Sequence, residues 1–377
     1  MKSKYSEKNM PTLPNRVEGI YENRILRKKT IILLLTTLLA GCSLQNDAAL
    51  SSENSNDVTY KITEQNQINE SEESNMNKSN QTQPTEDAPI VYFTSDITPE
   101  GLVAVYEKLD WKPDGKVAVK LSTGEPPASN YLRPELIKDL VQSVNGTIVE
   151  CNTAYGGSRA QTEMHYQVAK DHGFTDIADF QIQDENGSMT LTVDVGSVLT
   201  ENYVGAAFDD YEYYLILSHF KGHAMAGYGG AIKNISIGLG SAEGKSWIHS
   251  GGKSKTNPWG GKQDKFLEAM AEAGKSVSDH LGNGERIVYV NVMNRLSIDC
   301  DCDGNPAEPD MHDIGILAST DPVALDQACL DLIYEQKDGD GASLVKRIES
   351  KNGLHTLEHA EEIGLGSRTY QLENIDD

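Results

Sequence analysis

YLILSHFKGHAMAGYGGAIKNISIGLG, residues 214–240, opens with four apolar residues and then turns abruptly polar and glycine-rich. Tyr214-Leu215-Ile216-Leu217 is too short for a buried helix and suits a strand covered on both faces. Three further runs read the same way: Val117-Ala118-Val119-Lys120-Leu121, Thr147-Ile148-Val149-Glu150-Cys151 and Ile287-Val288-Tyr289-Val290-Asn291-Val292. Helical patterns lie between them at Pro99 to Leu109, Pro134 to Val144, Ala160 to His172 and Lys265 to Leu281. Another helix opens at Thr320-Asp321-Pro322, with Thr320 as N-cap and Pro322 in the first turn. This alternation predicts an α/β fold, a mostly parallel sheet flanked by helices, with two lobes around a cleft as one form of it. Ligands in such folds meet the carboxyl ends of the strands.

The polar half of the quoted stretch begins at such an end. His219, Lys221, His223 and Lys233 are the candidate catalytic residues. Imidazole moves protons or binds metal near neutral pH, and a lysine in a partly dry pocket is a nucleophile or a carboxylate anchor. Gly227, Gly229 and Gly230 give a backbone that turns tightly and approaches a ligand closely; with Lys233 they are the candidate cofactor-binding positions. Ile232 stands where G-x-G-x-x-G needs its third glycine, and no G-K-[ST] follows, so this is not a standard nucleotide loop.

A second segment, Asp299-Cys300-Asp301-Cys302-Asp303-Gly304-Asn305, closes with Glu308 and Asp310. Asp299, Asp301, Asp303 and Asp310 fit the spacing of a calcium loop, with Pro306 and Pro309 stiffening it. In extended form the carboxylates would face one way and the thiols of Cys300 and Cys302 the other, offering oxygens to hard cations or sulfurs to soft ones. These six residues, with His249, are the candidate metal ligands, and a divalent ion is the candidate cofactor. His312, Asp313 and Asp321 are placed in the same cleft.

Residues 218–240, Asp299 to Asp310 and Thr320-Asp321-Pro322-Val323-Ala324-Leu325-Asp326 together resemble domain-of-unknown-function family 362, over nearly all of residues 90–377. Members are often labelled iron–sulfur-centre proteins and carry a ferredoxin insert; no C-x-x-C occurs in this chain. The order His223, Ala226-Gly227-Tyr228, Gly229-Gly230, Lys233, His249 is distantly similar to the lactate racemase family. That likeness implies a nickel pincer cofactor on Lys233, His249 as metal ligand and His223 as an acid/base group. The chain departs from the pattern in having no histidine before His165.

Arg24, Arg27, Lys28 and Lys29 precede an apolar run, Ile31 to Leu39, too short to span a bilayer. Leu39-Ala40-Gly41-Cys42 after it resembles the lipobox of bacterial lipoproteins, which implies cleavage before Cys42 and an acyl lipid such as palmitate on it. Residues 1–42 thus read as a signal peptide with its lipobox, 43–88 as a polar, disordered linker, and 89–377 as the α/β domain. The signal lacks adjacent arginines, so the chain is expected to cross the membrane unfolded and to find any cofactor outside. That weighs against an iron–sulfur cluster or a nickel pincer. A net charge of -24 excludes the basic stripe a nucleic-acid partner needs.

The expected protein is a lipid-anchored, extracytoplasmic enzyme of metal-assisted acid/base chemistry on a small carboxylated molecule. A surface receptor for a metal ion or small anion is the alternative. The lipid anchor is its expected contact with the membrane. Its test is direct: Cys42→Ser should move the protein from the membrane fraction to the soluble fraction, and an unchanged distribution would remove the lipid reading.

Overall fold

A computed structural model describes residues 87–376, so the signal segment, Cys42 and nearly all of the linker lie outside the described residues. The strands are β1 (Ile90–Thr94), β2 (Val117–Lys120), β3 (Thr147–Glu150), β4 (Phe180–Ile182), β5 (Ser188–Thr192), β6 (Glu201–Gly205), β7 (Tyr213–His219), β8 (Lys221–His223), β9 (Gly227–Gly229), β10 (Ile287–Met293), β11 (Gly315–Ser319) and β12 (Gln371–Asn374). The helices are α1 (Pro99–Glu107), α2 (Pro134–Ser143), α3 (Thr162–Asp171), α4 (Ala231–Lys233), α5 (Ala242–His249), α6 (Gln263–His280), α7 (Pro322–Tyr334), α8 (Ala342–Ser350) and α9 (His355–Glu362). All four strand runs and all five helical patterns expected from the sequence are present.

Eight strands form one sheet in the order β12-β1-β11-β10-β7-β2-β3-β4. Its pairings are parallel except for the two that β11 makes with β1 and β10. The segment joining β10 to β11 contains no helix to cross the sheet, so the chain returns antiparallel. The described residues fall within one compact unit rather than two lobes. No helix among them is long and apolar enough to cross a membrane.

Alternation along the strands builds a core on each face. Ala118, Tyr214, Ile216, Tyr289 and Leu317 point to one layer, where α7 packs. Val117, Val119, Leu215, Leu217, Val290 and Ile316 point to the other, where α1 and α2 contribute Leu102, Val105, Ile137 and Leu140. Such two-sided burial explains why these strands read as continuous apolar runs.

The topology also places the site. From β2 the chain steps outward to β3 and β4, then returns to the other side of β2 as β7, so the strand order reverses between β2 and β7. At this switch point β2 ends at Lys120, opposite Ile216, while β7 continues to His219. The uneven ends leave a notch at the carboxyl edge, the expected ligand position for this class of sheet.

One cap differs from expectation. Asp321, not Thr320, caps α7: its Oδ1 accepts from the amides of Val323 at 2.8 Å and Ala324 at 2.9 Å. With Pro322 as the first helical residue, the position just before it is the one whose side chain reaches the free amides. The other oxygen accepts from Ser367 at 2.9 Å, tying the C-terminal segment to the helix. Asp321→Ala should therefore cost about 1–2 kcal/mol in urea unfolding, while Asp321→Asn, which keeps an acceptor, should cost less.

Candidate functional site

β7 continues through Phe220 into β8, and period two decides what faces where. Phe220 turns into the core, while His219, Lys221 and His223 point the other way, into a cavity of about 100 Å³. β8 pairs antiparallel with β9, placing Lys221 opposite Gly229 and His223 opposite Gly227. α4 starts at once and delivers Lys233 to the same cavity. The four candidate catalytic residues therefore converge.

The glycines have separate duties. A Cβ on Gly229 would meet Lys233 Cδ at 2.8 Å, so the bare backbone gives the lysine stem its path. A Cβ on Gly230 would meet Asp326 Oδ1 at 2.2 Å. That carboxylate accepts from the amides of Ala231 at 2.8 Å and Ile232 at 3.0 Å, capping the helix that carries Lys233. Burial pushes Asp326 up to about 6. Gly227, expected at the ligand, instead has φ of 84° and packs against Ile348 and Gly353; it serves the turn rather than the cavity.

Four further cavity residues were not singled out from the sequence: Lys120, Glu150, Arg159 and Lys245. Glu150, at the end of β3, takes Lys120 at 2.9 Å, Arg159 at 3.3 Å and the Thr123 amide at 3.0 Å. Burial alone would raise its pKa, but Lys120, His165 and Arg159 outweigh that and hold it at about 2. Across the cavity Asp301 lies 2.5 Å from Lys221 and 3.2 Å from His219 Nδ1. Lys221 and His219 likewise overcome the effect of burial and keep Asp301 ionised, while burial lowers Lys221 to about 8. Asn234 spans the switch point, donating to Lys120 O at 3.2 Å and Ser218 Oγ at 3.1 Å.

Five cations and two carboxylates line the cavity of a strongly acidic protein. Lys120, Lys221, Lys245 and Arg159 all have hydrogen-bond or ionic partners. Lys233 Nζ has no hydrogen bond or ion pair among the described residues. Desolvation, then Lys221 and Lys120, lowers its pKa to about 7.

The histidine tautomers follow from their partners. Nδ1 of His223 faces the amides of Ala226 at 2.9 Å and Met225 at 3.3 Å, so it accepts, and Nε2 carries the proton. Burial and the neighbouring Lys233 keep the ring neutral. His219 donates from Nε2 to Asn294 O at 2.6 Å and presents Nδ1 to Lys221 at 2.5 Å; it positions the lysine. His249 donates from Nδ1 to Lys245 O at 2.7 Å, leaving Nε2 toward the Tyr155 hydroxyl at 3.3 Å.

The expected calcium loop does not form. Asp299 takes Arg347 at 3.4 Å and the Ala307 amide, Asp303 caps Asn305, and Asp310 caps Ser343. Each carboxylate of the loop meets a different neighbour, with Asp301 alone in the cavity. His312 pairs with Asp340, Asp313 accepts from Arg295, and Asp321 caps α7; none of the three lines the cavity. Among the described residues one trio of potential ligands lies within 4.8 Å: His223, Cys300 and Cys302. Cys300 and Cys302 are disulfide-bonded, and the Nδ1 lone pair of His223 is occupied, so this donor set does not fit an ion as it stands. The chamber around Lys233 alone, about 100 Å³, is smaller than the roughly 300–1,000 Å³ of an organic-ligand pocket, so a lysine-borne cofactor would also have to occupy the adjoining space lined by Tyr155 and Trp259.

The family model for DUF362, a domain of unknown function, matches residues 117–331. That span contains every cavity residue named above. No curated protein matches the chain. Two solved structures are similar in part. The lactate racemase apoprotein from Thermoanaerobacterium thermosaccharolyticum is 12% identical with a TM-score of 0.40, over 65% of this chain and 57% of that one. A structural-genomics protein from Thermotoga maritima is 12% identical with a TM-score of 0.36, over 70% and 58%. The chain thus spans less than two thirds of either relative.

Two outcomes separate fold from site here. Above its ordinary value of 4.5 Glu150 contributes its full stability, which is lost as the pH falls toward about 2. Glu150→Gln should flatten that acid limb in denaturation measured across pH. Gly230→Ala should destabilise by about 1–3 kcal/mol through overpacking, whereas Gly229→Ala should leave Tm nearly unchanged and displace Lys233.

Proposed function

The chain belongs to the DUF362 family, whose name fixes no activity, and we propose that its pocket binds a small carboxylated molecule and moves a proton at the carbon beside the carboxylate. The observation that carries this reading is Lys233: an amine with no partner of its own, facing a cavity in which cations outnumber carboxylates. A bound carboxylate restores the balance of charge. It also finds donors already aimed, because the Nε2–H of His223 has no acceptor in the protein among the described residues.

The chemistry follows from the protonation states. In the free pocket a substantial share of Lys233 is neutral near pH 7, and this neutral form, less populated once a carboxylate is bound, is the one whose Nζ takes a proton from the substrate carbon. The electron pair left behind spreads into the carboxylate, whose oxygen gains negative charge. His223 donates a hydrogen bond to that oxygen without becoming charged, and Lys221, held by Asp301 and His219, adds a fixed positive field. Returning the proton from Lys233 completes the cycle with no external acid.

A receptor for the same anion is the second reading, favoured by the same excess of cations. We place the protein outside the cytoplasm, held by lipid on Cys42, on the strength of the segment from Arg24 to Cys42.

In D2O the protein should exchange the carbon-bound hydrogen of lactate or another small 2-hydroxy acid for deuterium, followed by NMR. Lys233→Met should lower that rate by about 10²–10⁴-fold, and kcat/KM should rise with pH through about 7. Saturable binding with no exchange would favour the receptor. Stability carries an independent signature. The folded state holds the Lys233 proton less tightly than an ordinary lysine at 10.5, so stability rises from about 7 toward that value. Lys233→Met should therefore raise Tm at pH 6 and make little difference at pH 10.

A further inference from the structure

The inner chamber is too small to hold more than the reacting end of a ligand. Its volume is about 100 Å³, against about 420 Å³ for the chamber beside it. That second chamber adjoins it, and the two share Thr153, Tyr155, Arg159, His223 and Cys302 among their lining residues. The adjoining chamber is the neighbouring space for what the carboxylate carries beyond its first carbons.

The outer chamber has a different character. Tyr155, Trp259, Met225 and Ala224 line it, with the ring of His249 at its edge. Trp259 is 58% exposed, and among the described residues it is the exposed large apolar side chain that lines either chamber. It is also held in place. Its amide donates to Asn257 Oδ1 at 3.1 Å, and its loop is pinned by Ser250, whose Oγ accepts from Lys253 and Ser254. Its indole lies tilted at 46° to the Tyr155 ring with centroids 6.1 Å apart. Apart from the Nε2–H of His223, which the carboxylate takes, the chamber's polar groups are largely engaged. Tyr155 meets His249, Arg159 bonds Glu125 and Glu150, and Glu125 also accepts from the Ser158 amide. What remains to offer a ligand is flat apolar surface.

We infer that the outer chamber is a subsite for an aryl or similarly flat apolar group, so that the ligand is a carboxylate with a hydrophobic ring a few bonds away. This rests on the carboxylate reading of the inner chamber. A ring there would leave water for the faces of Trp259 and Tyr155, while a polyhydroxylated ring would lose hydrogen bonds that the chamber does not replace.

Calorimetric titration of the full chain with propionate, 3-phenylpropionate and glucuronate tests it. 3-Phenylpropionate should bind about tenfold or more tightly than propionate, the difference expected when an aryl ring leaves water. Trp259→Ala should remove that advantage and leave propionate affinity unchanged, and Trp259→Phe should retain most of it. Ring binding should also quench tryptophan fluorescence in the parent protein and not in Trp259→Ala. Equal affinity for the two acids, an advantage that survives Trp259→Ala, or glucuronate binding as tightly as 3-phenylpropionate would overturn the subsite while leaving the carboxylate reading intact. Failure of both propionate and 3-phenylpropionate to bind would overturn both.

Discussion

The Glu150 carboxylate is the constraint on which the rest of the site depends. It is buried at the end of β3, yet it is shared among Lys120 from β2, Arg159 from the Ser158–Ala160 turn and the Thr123 amide. Three separate segments are thus fixed around one negative charge. Lys120 in turn bonds Asn234, which follows Lys233 directly, so the ion pair also sets where the reactive lysine stands. Taking these charges out of water is costly, and the arrangement survives because every oxygen of Glu150 has a partner.

Asp301 repeats the design across the cavity. Its charge holds Lys221, which in turn bonds His219, and its position is set by a loop whose backbone is tied to the neighbouring segment through the Glu125 amide at 2.7 Å. Two carboxylates thus neutralise some of the cations, backbone carbonyls take Lys245, and Lys233 is left with neither a counterion nor a hydrogen bond among the described residues. An amine lacking a counterion, crowded by other lysines and half removed from water, gives up its proton easily. The acidity of the chain as a whole makes the contrast sharper, since its net charge of -24 offers no general attraction for anions. The excess of positive charge is therefore local to the notch between β2 and β7.

The fold was readable because two-sided burial leaves a plain trace: apolar runs such as Tyr214 to Leu217 between helical patterns. The convergence of His219, Lys221, His223 and Lys233 was readable for a similar reason, since period two after a strand end puts alternate residues on one face. The partners were harder. Lys120 and Glu150 each stand as a single charge at the end of an apolar strand, a signal present in the sequence, but their pairing depends on β2 and β3 being neighbours. Nothing local in the Asp299 to Asp310 spacing tells that Asp301 turns inward while Asp299, Asp303 and Asp310 cap other amides. The short strand β11 was hidden among acidic residues. The tautomer of His223 depends on two amides in the turn after it, and no residue pattern encodes that.

Competitive trace labelling of lysines across pH, resolved residue by residue with mass spectrometry, reads directly whether Lys233 is the unpaired amine of a carboxylate pocket. The predicted result is a Lys233 titration centred near 7, moving upward when the pocket is saturated with 3-phenylpropionate. A midpoint near the ordinary 10.5, indifferent to the carboxylate, would contradict it.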